Sequence, residues 1–108
     1  MTDFTPPIRD LRFLIHDVIG LQTVAELPGF RETSPDLVDA ILEEAAKLAK
    51  GVLAPLNRIG DQEGSVLDDD GTVRTPTGWK DAYEKFCEGG WQGISAPEEE
   101  GGMGLPLL

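Results

Sequence analysis

The sequence predicts a mainly α fold with three main helices and a short β-hairpin. Residues 34–55 carry the longest amphipathic pattern in the chain, with apolar side chains at the three- and four-residue spacing of a helix. Residues 78–88 repeat bulky apolar side chains at the same spacing, and Asp70-Gly71 separates two short apolar segments, as in a hairpin. A chain of 108 residues is one domain or a part of one.

The first helix is predicted over residues 8–19. Residues 1–7 are predicted to be an extended lead-in, because Pro6 and Pro7 exclude a helix until they are passed. Pro7 then lies in the first turn of the helix and Gly20 at its end. The apolar stripe consists of Ile8, Leu11, Ile15, Val18 and Ile19, widened by Phe13 and Leu14.

Two segments between the helices are predicted to be connections. Residues 20–33 contain Pro28-Gly29, a pair typical of a turn, and Phe30 is expected to anchor this segment to the core. Residues 57–65 have the sequence NRIGDQEGS, whose many turn-forming residues predict a loop.

The central helix is predicted over residues 34–55. Ser34 suits the N-cap and Pro35 the first helical position. Glu43 and Lys47 are spaced as a favourable ion pair on the polar face. Pro55 should end or kink the helix, because it lacks a backbone N–H and restricts the residue before it. The apolar face consists of Val38, Ile41, Leu42, Ala45, Leu48, Ala49, Val52 and Leu56.

The predicted hairpin centres on Asp70-Gly71, between Val66-Leu67 and Thr72-Val73. The acidic residues around it also raise the question of a calcium loop. With either Gly71 or Gly64 at the glycine position of an EF-hand loop, the required carboxylates are missing from the ligand positions. The pattern therefore favours a turn over a calcium site.

A third helix is predicted over residues 78–88, capped by Thr77 and ended by Gly89-Gly90. Its aromatic face is expected to dock against the central helix. That face consists of Trp79, Ala82, Tyr83, Phe86 and Cys87.

The tail after this helix changes character. Residues 91–96 are predicted to be a brief extended segment, and Pro97 opens an acidic and then glycine-rich loop containing Gly101, Gly102 and Gly104. A phosphate-binding loop usually carries a lysine, which is missing here, and the glutamates at 98–100 would repel an anion. The glycines therefore favour a tight backbone crossing. Because the chain ends on apolar Leu107-Leu108 just past the loop, we expect a truncated domain.

Two side chains are candidates for chemistry, but neither has a partner in the sequence. His16 lies on an apolar stripe and is interpreted as a packed or surface residue, because no second titratable group has a fixed spacing to it. Cys87 is interpreted as a small buried hydrophobe, since no basic neighbour is in view to activate the thiol. Neither catalytic, cofactor-binding nor metal-ligating residues are predicted.

Composition excludes several partners. A net charge of −11 and a pI near 4.3 argue against nucleic acid and against an anionic membrane surface. No stretch is long and apolar enough to span a membrane, and the N-terminus lacks the pattern of a secretory signal. The single cysteine fits a reducing compartment, so a cytoplasmic location is expected.

Several segments together resemble the N-terminal region of the acyl-CoA dehydrogenases, in particular the larger bacterial members with an additional N-terminal segment. In chain order the matching segments are PPIRDLRFLIHDVIG, ILEEAAKLAKGVLAPLNRIGDQEG and DGTVRTPTGWKDAYEKFCEGGWQGISAPEEEGGMGLP. The combination of PLN-x-x-GD-x-EG, DG-x-V-x-TP-x-G-W and GG-x-GLP is specific, whereas any one of them alone would not be.

The resemblance implies a helical N-terminal domain that is followed by a β-barrel and a four-helix bundle. It also implies FAD as cofactor, an acyl-CoA thioester as substrate, α,β-dehydrogenation as the reaction, electron-transfer flavoprotein as electron acceptor, and a homo-oligomer when complete. In the family, the catalytic glutamate and most flavin contacts lie in the later domains. The resemblance therefore assigns no catalytic or flavin-binding residue within residues 1–108, and the chain alone is expected to be inactive.

The resemblance divides the chain into an N-terminal extension with a short helix, residues 1–33, and the incomplete start of the helical domain, residues 34–108. The alternative is a self-standing acidic helical module that binds a protein partner. Three helices with wide apolar faces need more covering surface than 108 residues supply. We therefore expect the isolated polypeptide to be poorly stable or to associate.

Overall fold

The computed structural model describes residues 4–108 and is mainly helical, as predicted. The predicted extended lead-in lies outside the described residues at positions 1–3, and residues 4–7 have no regular secondary structure. In chain order the elements are α1 (Ile8–Phe13) with a π-helical turn (Leu14–Ile19), α2 (Leu21–Ala25), α3 (Pro35–Leu48) with a second π-helical turn (Ala49–Leu53), α4 (Ala54–Glu63), β1 (Val66–Leu67), β2 (Val73–Arg74) and α5 (Trp79–Glu88). Two short 3₁₀ turns follow, Trp91–Gly93 and Glu98–Glu100.

The first predicted helix is confirmed, but it changes from α to π geometry at Leu14. It ends at Gly20, whose left-handed backbone (φ 81°) turns the chain. The prediction of an irregular connection over residues 20–33 is wrong at its start, because α2 forms there. Leu21, at the start of α2, is 1% exposed, so burial of this side chain holds a helical turn that the local sequence does not demand. The predicted turn at 28–29 is present.

The N-terminus of α3 is confirmed as predicted. Ser34 is extended (φ −84°, ψ 157°), its Oγ accepts a hydrogen bond from the Leu37 N–H at 3.1 Å, and Pro35 is the first helical residue. The predicted pairing of Lys47 with Glu43 is wrong. The Lys47 ammonium pairs with Glu44, three residues away instead of four, and Glu43 only adds charge nearby.

The proline within the central helix changes its geometry but does not stop it. A proline at position 55 has no N–H to donate to the Gly51 carbonyl, and its ring would collide with that carbonyl in a regular α-helix. A π-helical turn over Ala49–Leu53 widens the backbone before the proline, and α4 then continues to Glu63. The predicted loop over 57–65 is therefore wrong for residues 57–63, which are helical.

The hairpin is confirmed. β1 and β2 pair antiparallel, with Val66 opposite Arg74 and Leu67 opposite Val73, one residue later than the predicted second strand. The loop is closed by backbone bonds between Asp68 and Thr72 and between Gly71 and Asp68. The Arg74 guanidinium binds both carboxylate oxygens of Asp68, at 2.8 and 3.0 Å.

The helix at 78–88 is confirmed as α5, but Thr77 does not cap it. Gly78 is the N-cap, in left-handed geometry (φ 83°), and no side chain caps the helix. The Thr77 N–H instead donates to Glu63 Oε2 at 2.7 Å, which ties the chain before α5 to the end of α4. As predicted, α5 ends at Gly89-Gly90 and packs on the continuation of the central helix.

The predicted extended segment at 91–96 is wrong, because Trp91–Gly93 forms a 3₁₀ turn. The predicted backbone crossing is confirmed. A Cβ at Gly102 would lie 2.1 Å from the Ala96 carbonyl oxygen, so only glycine fits. Backbone bonds from Met103 to Gly93 and from Leu105 to Ile94 (3.0 and 3.1 Å) close the crossing.

The molecule is flat and leaves much apolar surface exposed. Its radius of gyration is 17.4 Å and its extents are 54 × 35 × 18 Å, whereas a globular domain of about 100 residues has a radius of about 13 Å. Among residues 4–108, the buried hydrophobic side chains are Leu21, Val38 and Ala82. The fold is therefore a flat arrangement of helices that leaves apolar side chains exposed.

Candidate functional site

An open apolar groove lies between α4 and α5. It encloses a cavity of about 310 Å³. The Trp79 indole crosses to α4, where its Nε1 donates to the Leu56 carbonyl at 3.4 Å. Tyr83 is 68% exposed on the rim. The groove is lined by Leu53, Leu56, Asn57, Trp79, Ala82, Tyr83 and Phe86. Its lining is almost entirely apolar, so the groove suits the packing of apolar side chains rather than the binding of a charged ligand.

A second apolar cleft lies between α1, α3 and the C-terminal residues, with a cavity of about 200 Å³. We call it the α1–α3 cleft. Ile15 contributes one wall from the first π-helical turn, and Leu105 to Leu108 contribute another. The floor consists of Val38, Ile41 and Leu42 of α3. The Thr33 side chain at its edge is 4% exposed.

A three-residue polar cluster joins the first helix to α3. Asp39 accepts hydrogen bonds from Arg12 Nη2 and from His16 Nε2, both at 2.7 Å and each to a different carboxylate oxygen. The hydrogen bond from His16, aided by the nearby Arg12 guanidinium, lowers the pKa of Asp39 below its usual 3.8. The ionised carboxylate is therefore the form that the cluster stabilises.

His16 thus has a titratable partner that the sequence did not indicate. Its interpretation as a packed or surface residue holds, since its side chain is 23% exposed and is fixed by Asp39. The available signal was the four-residue spacing of Arg12 and His16, which places two donors on one side of a helix. The acceptor lies 23 residues beyond His16 and could not be chosen from spacing.

Cys87 lies on the aromatic stripe of α5 and is only half-buried, so it is less enclosed than its interpretation as a small buried hydrophobe predicts. Tyr83 is one turn away, and its hydrogen bond with the Cys87 thiol raises the pKa of Tyr83. The shift favours the neutral hydroxyl of Tyr83 over its phenolate.

The glycine-rich loop uses its own amides. The N–H groups of Gly101, Gly102 and Gly104 donate to the carbonyls of Glu98, Pro97 and Ala96, at 2.8 to 3.0 Å. These donors are occupied within the loop, so the loop does not fit the pyrophosphate of a dinucleotide. In the part of the chain that the structure describes, no group of three or more His, Cys, Asp or Glu side chains is placed to bind a metal ion. In the same residues, every buried side-chain nitrogen or oxygen has a hydrogen-bond partner.

No family model matches the chain. A 3-methylmercaptopropionyl-CoA dehydrogenase of Ruegeria pomeroyi is 41% identical to it over 105 residues, or 97% of this chain and 18% of that enzyme. The chain matches the N-terminal segment of acyl-CoA dehydrogenases. Two further acyl-CoA dehydrogenases match more distantly. The broad-specificity linear acyl-CoA dehydrogenase FadE5 of Mycobacterium tuberculosis is 27% identical over 98% of this chain and 18% of that enzyme. A butyryl-CoA dehydrogenase of Syntrophomonas wolfei is 29% identical over 77% of this chain and 14% of that enzyme.

The chain therefore spans less than a fifth of the acyl-CoA dehydrogenases that it matches, and it corresponds to their N-terminal segment. The two apolar clefts lie on surfaces that this segment leaves uncovered. Within residues 4–108, none of the helices has both the length and the apolar character needed to cross a bilayer.

Proposed function

We propose that this chain forms one wall of a flavin-dependent acyl-CoA dehydrogenase and is inactive alone. The observation that carries the proposal is the 41% identity to the Ruegeria enzyme over 97% of the chain. The flat shape and the two uncovered apolar clefts support it, because such surfaces require a further packing partner.

The whole enzyme would carry out α,β-dehydrogenation of an acyl-CoA thioester, with electron-transfer flavoprotein as electron acceptor and a homo-oligomeric assembly. FAD, when bound, supplies a hydride acceptor for this oxidation. The amides of the glycine-rich loop donate to carbonyl groups of the same loop. The Asp39 carboxylate accepts hydrogen bonds from Arg12 and His16. The glycine-rich loop therefore offers no pyrophosphate cradle, and Asp39 offers no free base for this chemistry.

We further propose that residues 34–108 begin the helical N-terminal domain of the enzyme and that residues 1–33 are an extension packed onto it. Two features support this division. Ser34 is a well-formed N-cap that starts the central helix. The extension meets the central helix through Asp39 and through the α1–α3 cleft.

The proposal is tested with a chimeric enzyme. Residues 4–108 replace the aligned segment of the Ruegeria 3-methylmercaptopropionyl-CoA dehydrogenase, and the purified chimera is assayed for FAD content and for acyl-CoA-dependent reduction of an artificial electron acceptor. The isolated chain and the Ruegeria enzyme lacking its aligned segment serve as controls. We expect FAD and activity in the chimera and neither in the two controls.

Two outcomes would overturn the proposal. Stoichiometric FAD binding or turnover by the isolated chain would show that the chemistry lies within this segment. Full activity of the Ruegeria enzyme without its aligned segment would show that the segment is not a wall of the enzyme.

A further inference from the structure

The first helix is held to the rest of the molecule by little buried surface. Neither α1 nor the π-helical turn after it contains a buried residue. Four of its large apolar side chains are 46–61% exposed: Phe13, Leu14, Val18 and Ile19. Ile8, Leu11 and Ile15 are only half-buried. Since apolar stabilisation scales with the area removed from water, this helix is weakly attached by packing alone.

The polar attachment is specific. Arg12 and His16 lie on either side of the change from α to π geometry, and each donates to a different oxygen of Asp39. The other ion pairs of the described region are local. Lys47 pairs with Glu44 within one helix, and Arg74 pairs with Asp68 within the hairpin. Among residues 4–108, Asp39 is therefore the ion-pair link between the first helix and α3.

The same helix covers an apolar cleft. Ile15 is one residue from His16 and forms a wall of the α1–α3 cleft, over a floor that includes Val38, Ile41 and Leu42. If the helix moved away from α3, this floor would lose that wall and meet water. The position of the first helix thus decides whether the cleft is closed on this side.

We propose that residues 8–19 act as a strap over the α1–α3 cleft and that Asp39, with Arg12 and His16, is the clamp that keeps the strap closed. The strap opens as a unit when the clamp is removed, while α5 and the hairpin stay folded. Local opening of this kind belongs to segments with few buried contacts. This inference does not depend on the proposed enzymatic activity, because it concerns only contacts within residues 8–108 of this chain.

The test is amide hydrogen exchange of the chain, followed by mass spectrometry of its peptides, in wild type and Asp39→Ala. We expect exchange in residues 8–19 to become roughly two- to thirtyfold faster, the range for losing two polar contacts with the strength of surface ion pairs, with the hairpin and α5 unchanged. Asp68→Ala is the matched control, since it removes the carboxylate of the hairpin pair. It should accelerate exchange in residues 66–74 and leave the strap unchanged.

A second set of variants tests the coupling. Arg12→Ala and His16→Ala should each accelerate strap exchange less than Asp39→Ala, and neither should add to the effect of Asp39→Ala. If Asp39→Ala unfolds the whole chain, Asp39→Asn decides, because it keeps the shape and one acceptor oxygen and should accelerate the strap alone. Unchanged strap exchange, or equal acceleration across the chain in Asp39→Asn, would overturn the proposal.

Discussion

Gly60 shows how one residue sets the contact between two helices. It lies in α4 directly under the Trp79 indole, and a Cβ built at this position would be 2.4 Å from Trp79 Cζ2. Gly51, in the π-helical turn before α4, has no atom within 4 Å of the corresponding position. The two glycines therefore differ in the neighbours that an added Cβ would meet.

Gly60→Ala should destabilise the chain by about 1–2 kcal/mol, because overpacking against the indole costs about 1–3 kcal/mol and the helix gains only about 0.5–1 kcal/mol from alanine. Gly51→Ala should be neutral or stabilising by up to about 1 kcal/mol. Urea unfolding followed by Trp79 fluorescence, in a Trp91→Phe background, measures both. Equal effects of the two substitutions would contradict the packing of Trp79 on Gly60.

Asp39 makes stability depend on acid pH. The hydrogen bond from His16, and then the charge of Arg12, lower its pKa below 3.8 in the folded chain. A carboxyl group with a depressed folded pKa stabilises the fold above its unfolded pKa, and this contribution is lost as pH falls through the folded pKa.

The difference in thermal midpoint between wild type and Asp39→Asn should therefore be present above the unfolded pKa of Asp39 and shrink toward zero as the pH falls through the folded pKa. Circular dichroism melts from neutral to acid pH give this difference. Asp36→Asn provides a control. Asp36 lies on the same helix, and within residues 4–108 its side chain makes neither an ion pair nor a hydrogen bond. A difference that grows as the pH falls would contradict the assigned cluster.

At the scale of elements, Ser34 and Thr77 both carry a hydroxyl side chain at a predicted helix N-cap. Only Ser34 acts as an N-cap in the structure. Ser34 caps α3, whereas Thr77 lies one residue before the actual N-cap of α5 and is held by Glu63. The sequence could not separate them, because the position of Thr77 depends on a carboxylate 14 residues away.

Ser34→Ala should cost about 1 kcal/mol, as loss of a helix N-cap does. Thr77→Ala should cost less than about 0.5 kcal/mol, because its N–H bond to Glu63 belongs to the backbone and remains. Equilibrium unfolding of the two variants gives the comparison. A larger loss of stability in Thr77→Ala than in Ser34→Ala would contradict this assignment and would support the predicted N-cap at residue 77.

Elements with strong local signals were predictable from the sequence, and elements defined by tertiary contact were not. The N-cap of α3, the Asp70-Gly71 hairpin and the crossing at Gly102 follow from local geometry. In contrast, residues 57–63 of α4 were predicted as a loop because they are rich in turn-forming residues. Its Gly60 is explained only by the indole above it, and α2 only by burial of Leu21.

The polar cluster shows the same limit at the level of a site. The two donors at positions 12 and 16 lie at helical spacing, so their common side was visible in the sequence. The acceptor, Asp39, lies on the central helix, but nothing in the sequence fixed which turn of that helix would meet the first one. The contact depends on how two helices pack, which spacing alone does not give.

At the scale of the whole molecule, the shape supports the proposal that this chain is one part of a larger protein. A radius of gyration of 17.4 Å exceeds the roughly 13 Å of a compact domain of this size. The large side chains left exposed include Phe13, Val18, Leu67 and Tyr83. Relatives that are more than five times longer, to judge by the 18% they share with this chain, offer the surface that could cover them.

The most direct test of this account is binding of an environment-sensitive fluorescent dye to the isolated chain, combined with sedimentation analysis of its size. If these helices are one wall of a larger enzyme, the chain should bind the dye strongly, self-associate as concentration rises and melt over a broad range. A monomer with a single sharp transition and no dye binding would contradict it.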